Sequence, residues 1–137
     1  QLIIESALVG MEISVGAYSL KEEVIVLPIT EIISENDFFD YDAKYNGKSQ
    51  EITPARLDEI SRTKVNTTVK KLYKQLNLKG VCRSEFIMVE GIPHLLEVNT
   101  IPGLTAASLI PQQVKAAGIE LASFFESLLD EAMKKNQ

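Results

Sequence analysis

The sequence contains one cysteine, one histidine and no tryptophan, and it has no long apolar run. The lone Cys82 excludes an internal disulfide and a cysteine-based metal site, which indicates a reducing compartment, and we expect a cytoplasmic location. The apolar stretch at residues 2–4 is interrupted by Glu5 and is far too short for a signal or membrane-spanning segment, so no membrane partner is expected. Basic residues are outnumbered, 14 Lys and Arg against 19 Asp and Glu, and the net charge of -5 argues against a nucleic-acid partner.

The apolar residues follow strand and helix periodicities. Strands are predicted over residues 2–7, 11–18, 23–33, 81–89 and 93–100, and helices over residues 54–76, 106–117 and a C-terminal stretch that includes residues 121–132. Thr53 is the expected N-cap of the first helix, with Pro54 at its first position. The polar residues 34–53 form a predicted loop of roughly twenty residues, a length that is usually functional or disordered. These elements predict one α+β domain, an antiparallel sheet with helices packed on it.

Four polar residues fall within the two strands of the predicted hairpin. Glu97 and Asn99 alternate onto one face of their strand, and Arg83 and Glu85 do the same on the partner strand. A three-residue loop at residues 90–92 would place all four side chains on the same face of the sheet. A two-residue loop would shift the register by one and separate the two pairs, unless a β-bulge restored it.

Carboxylate and amide oxygens beside an arginine point to a metal and phosphate site. Neighbouring carboxylates repel each other, and Mg2+ relieves that repulsion while it shares its remaining positions with substrate phosphates. Arg83 could face the same phosphates and stabilise charge on a transferring phosphoryl group. The alternative is that Arg83, Glu97 and Asn99 form a salt-bridge set on a sheet surface that faces water.

The order of these residues resembles that of a known family. Arg83-Ser-Glu85, followed by LLEVNTIPG at residues 95–103, resembles the metal-binding hairpin of ATP-grasp ligases, and specifically of their D-alanine–D-alanine ligase branch. Further resemblances are to the hinge and ribose-binding segment at residues 5–12, the active-site loop at residues 39–45 and the substrate-side segment at residues 108–111. The resemblance implies the C-terminal half of an ATP-grasp fold, with residues 1–137 as the C-terminal subdomain of a longer ligase.

The resemblance also implies roles for individual residues. It implies that Glu85, Glu97 and Asn99 bind two Mg2+ ions, which Mn2+ could replace, and that Arg83 stabilises the transferring phosphoryl group. For ATP it implies Glu5 and Leu8 at the adenine, Glu12 at the ribose and Lys44 at the phosphates. For the second D-alanine it implies Tyr45, which helps to close the loop, and a terminal pocket of Gly103, Ser108 and Leu109.

The implied reaction joins two small molecules with ATP as the activating reagent. ATP phosphorylates the carboxylate of one D-alanine, the amine of a second attacks the acyl phosphate, and the dipeptide serves peptidoglycan synthesis. The resemblance further implies a homodimer for the full-length enzyme. It implies little turnover by residues 1–137 alone, because nothing in them resembles the domain for the first D-alanine or the subdomain with further ATP-contacting lysines.

Two other functions stay open. The branch usually has aspartate where this chain has Glu85, and glutamate occurs there in other ATP-grasp branches. Another ATP-grasp carboxylate–amine ligase is therefore one alternative. A non-catalytic binding module is the other.

Overall fold

The computed structural model describes residues 2–34 and 49–134, which form an antiparallel sheet with helices on both faces. The strands are β1 (Met11–Leu20), β2 (Glu23–Val26), β3 (Thr30–Ser34), β4 (Ser49–Ile52), β5 (Val81–Val89) and β6 (Ile92–Asn99). The helices are α1 (Glu59–Gln75), α2 (Leu109–Ala116) and α3 (Leu121–Lys134). The strands run in the order β4-β3-β1-β5-β6, and β2 lies end to end with β3 beside β1. The predicted α+β class is confirmed.

Strand β1 lies at the centre of the sheet and is covered on both faces. Ile13, Val15 and Ala17 point to one face, where α1 closes the core with Val65 and Val69. The buried positions of α1 recur every four residues, at Ser61, Val65, Val69 and Tyr73, because one stripe of a helix faces its sheet. Cys82 is buried in this core, and burial raises the pKa of its thiol to about 11, so the thiol stays protonated at neutral pH.

The opposite face of β1 carries Tyr18, against which α2 and α3 pack. Ile110, Val114 and Phe124 form this second core with Tyr18, and the rings of Tyr18 and Phe124 meet edge to face at 5.1 Å between centroids. Within residues 2–34 and 49–134, no helix is long and apolar enough to cross a membrane.

The predicted strand over residues 2–7 is wrong, and the one over residues 23–33 is wrong in part. Residues 2–9 adopt no regular structure, and Leu2, Ile3 and Ile4 are almost fully exposed. An apolar run forms a strand only where a neighbouring strand pairs with it, and no strand of the described residues pairs with this one. The predicted strand over residues 23–33 is divided into β2 and β3 around Pro28, which has no backbone N–H for a sheet.

The predicted helix starts are also too early. Helix α1 begins at Glu59, and its N-cap is Asp58, whose side chain accepts from the Ser61 N–H at 2.7 Å. The hydroxyl of Thr53 instead lies 2.6 Å from that of Thr30 in β3, so it is engaged by the sheet. Helix α2 begins at Leu109, three residues after the predicted start at 106.

The predicted long loop over residues 34–53 is wrong near both ends, since Ser34 is the last residue of β3. Residues 49–52 form strand β4, which pairs with β3 at one edge of the sheet. Residues 35–48 are not described, and they include both Lys44 and Tyr45.

Phe86 is a sensitive position of the core under α1. Phe86 lies in β5, is 0% exposed and is among the largest fully buried side chains. We expect Phe86→Ala to lower the free energy of unfolding by about 3–5 kcal/mol, because it removes buried apolar surface and leaves a cavity. Urea unfolding of the two proteins measures the difference.

The control is Ile60→Ala in the first turn of α1, where the side chain is 71% exposed. It should change the free energy of unfolding by no more than about 0.5 kcal/mol. Equal losses in both variants would show that Phe86 has no special place in the core.

Candidate metal and phosphate site

The hairpin between β5 and β6 turns through two residues. Glu90 and Gly91 have φ angles of 50° and 71°, which are the left-handed values that a two-residue type I′ turn requires. Val89 pairs with Ile92 directly across the turn. Of the two alternatives, the structure therefore has the two-residue loop and not the three-residue loop at 90–92.

A β-bulge in β6 then restores the register that the shorter turn would have lost. Phe86 pairs with Leu95, but the next pair is Glu85 with Glu97, so Leu96 is an extra residue without a partner in β5. Beyond the bulge, Arg83 pairs with Asn99. The structure thus places Arg83, Glu85, Glu97 and Asn99 on one face of the hairpin.

Arg83 and Glu85 form an ion pair at the centre of this face. Arg83 Nη2 donates to Glu85 Oε1 at 2.6 Å, and the two side chains are only 14% and 12% exposed. The Arg83 Nε is buried and has no hydrogen-bond partner among the described residues. A buried donor on a charged group is costly when it is left unpaired, so this N–H is available for an anionic ligand such as a phosphate oxygen.

The oxygen donors fit a magnesium ion as a partial ligand set. Glu97 is exposed, and Asn99 Oδ1 accepts from the Ile101 N–H at 3.0 Å, which fixes the amide at the end of β6. Over the described ranges, no group of three or more His, Cys, Asp or Glu side chains could hold a metal ion. Two carboxylates and one amide are hard oxygen donors, but an octahedral ion would also need water or substrate phosphate oxygens.

Glu12 belongs to the same face, on the neighbouring strand. Ser14 of β1 pairs with Glu85, and Glu12 lies two residues before Ser14, so its side chain points the same way. Glu12 lines a depression of about 370 Å³ that Ile32 and Ile87 also border.

The two residues predicted at the adenine lie in a different segment. Glu5 and Leu8 are in the irregular segment before β1, where both are exposed, and neither lines the depression at Glu12. The structure therefore places Glu12 on the same face as Arg83 and Glu85, whereas Glu5 and Leu8 do not line the depression at Glu12.

The predicted substrate-side residues meet at the start of α2. A Cβ at Gly103 would lie 2.8 Å from Ser108 Oγ, so Gly103 and Ser108 are in close contact. Ser108 occupies the N-cap position of α2 without a side-chain capping bond, and its hydroxyl lies 2.8 Å from that of Thr105. Leu109 is buried in the core, so only its backbone is free to meet a ligand.

Two buried polar residues escaped the sequence analysis. Gln113 lies within the apolar stripe of α2 and is 0% exposed, and Glu31 of β3 is buried with Arg56 as its partner. The sequence did carry a signal for Gln113, because it is a polar residue at a position where the helix pattern expects an apolar one. Glu31 gave none, because its partner lies 25 residues away.

The chain is similar to known proteins along most of its length. The family described as D-ala D-ala ligase C-terminus matches residues 1–130. A D-alanine–D-alanine ligase of Flavobacterium johnsoniae is 58% identical over 130 residues, which are 95% of this chain and 40% of that protein. One from Porphyromonas gingivalis is 42% identical over 138 residues, which cover 100% of this chain and 42% of that protein.

Solved structures of ligases also resemble this chain over part of their length. The D-alanine–D-alanine ligase from Bacillus anthracis complexed with ATP has a TM-score of 0.78 at 32% identity, over 95% of this chain and 42% of that one. The VanG D-Ala:D-Ser ligase from Enterococcus faecalis has a TM-score of 0.75 at 28% identity, over 90% of this chain and 36% of that one. The fold is thus that of the C-terminal part of an ATP-grasp ligase.

Within that class, the chain belongs to the D-alanine–D-alanine ligase C-terminal family. It spans about 40% of the length of the curated relatives that it matches.

The Glu31–Arg56 pair beside the Glu12 depression makes stability depend on pH. Arg56 Nε donates to Glu31 Oε2 at 2.8 Å, and this hydrogen bond holds the pKa of the Glu31 carboxyl below its usual 4.5. A lowered folded-state pKa stabilises the fold above pH 4.5, and this stabilisation is lost as pH falls through the lowered value. Glu31→Gln should therefore reduce the free energy of unfolding at pH 7, and the reduction should shrink towards pH 3.

Urea unfolding of both proteins between pH 7 and pH 3 measures this change. The matched control is Glu59→Gln, which removes an exposed carboxylate paired with Arg62 and should have a small effect throughout. A loss for Glu31→Gln that stays constant over the whole pH range would contradict the role of the charged pair.

Proposed function

We propose that this chain is the C-terminal ATP- and Mg2+-binding catalytic portion of a longer D-alanine–D-alanine ligase. The observation that carries the proposal is the polar face of the β5–β6 hairpin. There, Arg83 has a buried N–H with no partner among the described residues, beside Glu85, Glu97 and Asn99. The family match and the similarity to full-length ligases support it. The ATP complex of the Bacillus anthracis relative supports the use of ATP.

In the proposed reaction, the γ-phosphoryl group of ATP passes to the carboxylate of one D-alanine. The amine of a second D-alanine then attacks the acyl phosphate, and inorganic phosphate leaves as the peptide bond forms. Arg83 donates its free N–H to the transferring phosphoryl group and stabilises the charge there. Glu85, Glu97 and Asn99 hold two Mg2+ ions, which supply neutralising charge at the phosphates when they are bound.

The remaining predicted residues complete the proposal. Glu12 accepts hydrogen bonds from the ribose hydroxyls, and Glu5 and Leu8 line the adenine pocket. Lys44 contacts the ATP phosphates, and Tyr45 closes over the second D-alanine. Gly103, Ser108 and the Leu109 backbone hold the carboxylate end of that D-alanine. Mn2+ can replace Mg2+, the full-length enzyme is a cytoplasmic homodimer, and residues 1–137 alone are close to inactive.

A second function has one observation in its favour. Glu85 stands where this branch usually has aspartate, and it is the residue that forms the 2.6 Å ion pair with Arg83. Because of this difference, the second candidate function is that of another ATP-grasp carboxylate–amine ligase. A D-Ala:D-Ser ligase among the similar structures makes the second substrate the point to test.

The deciding experiment is phosphate release by the full-length protein with a panel of second substrates. D-alanine, D-serine and a D-2-hydroxy acid are each supplied with D-alanine, ATP and Mg2+, and the products are identified by mass spectrometry. We expect D-alanyl-D-alanine as the main product. Preference for another second substrate would favour the second function, and release with none of them would contradict both.

Glu97 tests the metal site directly. We expect Glu97→Gln to weaken Mn2+ binding in the presence of ATP and to lower kcat/KM by roughly 10²–10³-fold, because the variant loses a charged oxygen ligand. Calorimetric titration and steady-state kinetics measure the two effects.

The control is Glu126→Gln, which changes an exposed carboxylate of α3 in the same way and should leave both quantities unaltered. Unchanged metal and nucleotide binding in Glu97→Gln would favour a non-catalytic binding module.

A further inference from the structure

Gln113 is a fully buried polar residue to which the proposed mechanism assigns no role. A buried carboxamide needs partners for its oxygen and for both of its N–H groups. Gln113 finds them all in the sheet. Its Oε1 accepts from the Gly16 N–H at 2.9 Å, and its Nε2 donates to the Ser14 carbonyl at 3.0 Å and to the Thr30 hydroxyl at 2.9 Å.

These partners surround a gap in the sheet. The pairing of β1 with β2 ends at Ala17 and Val26, and the pairing with β3 begins at Ser14 and Thr30. Between the two, the chain around Pro28 leaves the ladder, although the Leu27 N–H still reaches the Gly16 carbonyl at 2.8 Å. The carboxamide of Gln113 takes the place of the missing peptide groups and satisfies the β1 backbone there.

The same two β1 residues support the phosphate-binding face on their other side. Gly16 pairs with Arg83, and Ser14 pairs with Glu85. A Cβ at Gly16 would lie 2.6 Å from Gln113 Oε1, so the helix approaches β1 as closely as a glycine allows. Through β1, Gln113 is thus joined to the two charged residues of β5.

Gln113 also lies in the helix that carries the proposed substrate pocket. Helix α2 begins at Leu109, directly after Ser108, and Gln113 is five residues beyond that serine. Apart from one exposed hydrogen bond from Gln112 to Glu51 of the edge strand β4, the other contacts of α2 with the sheet are apolar, through Ile110 and Val114. Apolar contacts are not directional, whereas three hydrogen bonds from one side chain define where the helix lies along β1.

We propose that Gln113 is a positioning residue of the ligase. It sets the position of the α2 N-terminus, with Ser108 and Leu109, relative to Arg83 and Glu85. The terminal D-alanine is thereby held at the correct distance from the acyl phosphate. The proposal rests on the proposed function, because it assumes that this pocket takes the second D-alanine. Gln113 itself touches no substrate and acts through Ser14 and Gly16.

The test compares Gln113→Met with Gln112→Met in the full-length enzyme. Gln113→Met removes all three hydrogen bonds at nearly constant volume. Gln112→Met makes the same change one position away, where the partly exposed side chain donates only to the exposed Glu51 carboxylate and to the Ala107 carbonyl. We expect Gln113→Met to raise the KM for the second D-alanine about tenfold or more while the KM for ATP stays within about twofold, because a shift of the pocket misplaces only that substrate. Gln112→Met should change neither.

Two kinetic results would overturn the proposal. One is an unchanged KM for D-alanine in a folded Gln113→Met enzyme, and the other is an equal loss for both substrates, which indicates a general loss of structure. If Gln113→Met does not fold, Thr30→Val removes one of the three bonds together with the hydroxyl contact to Thr53, and Thr53→Val, which removes only that contact, is its control. Thr30→Val should still raise the KM for D-alanine selectively, and no selective rise would count against the proposal.

Hydrogen exchange separates this inference from the proposed function. We expect the Gly16 amide and the amides of residues 108–110 to exchange faster in Gln113→Met than in the wild type and Gln112→Met. Unchanged exchange would contradict the positioning role. If the wild-type enzyme makes no D-alanyl-D-alanine, the proposed function fails, and the exchange rates still decide whether Gln113 holds α2 against β1.

Discussion

The antiparallel ladder between β1 and β5 is the interaction on which the rest of the structure depends. It runs without interruption from Met11 paired with Met88 to Tyr18 paired with Val81. Because side chains alternate along both strands, one register sends Ile13 and Phe86 into the core under α1 and directs Glu85 to the opposite face. A slip of one residue would bury the charges and expose the core, so the energy of apolar burial also maintains the geometry of the polar site.

The charged side chains of the hairpin face partly compensate one another, which allows them to lie next to an apolar core. Arg83 offsets Glu85 within the protein, which limits the cost of keeping both side chains mostly out of water. Glu97 adds a further negative charge at the exposed edge of the hairpin. With Glu12 on the same face, three carboxylates surround the one guanidinium of Arg83. A bound divalent cation would offset this negative charge and would favour a phosphate beside it.

Much of this arrangement could be predicted from the sequence, and the failures have local causes. Strand β5 matched its predicted range, 81–89, because regular alternation was bounded by turn residues on both sides. The strand over residues 2–7 failed because apolar content does not reveal whether a pairing partner exists. The cap at Thr53 failed because its hydroxyl serves the sheet instead. Gln113 was missed because its partners lie 83 to 99 residues away along the chain.

The bulge at Leu96 also limits how this hairpin can change in length. A two-residue turn plus one unpaired residue aligns Glu85 with Glu97 just as a three-residue turn without a bulge would. Single insertions or deletions between positions 89 and 97 therefore reverse the side chains beyond them, whereas compensated or paired changes preserve the face. In homologous hairpins, a change in the number of turn residues should be accompanied by a change in the number of bulge residues. The total of turn and bulge residues should vary only in steps of two.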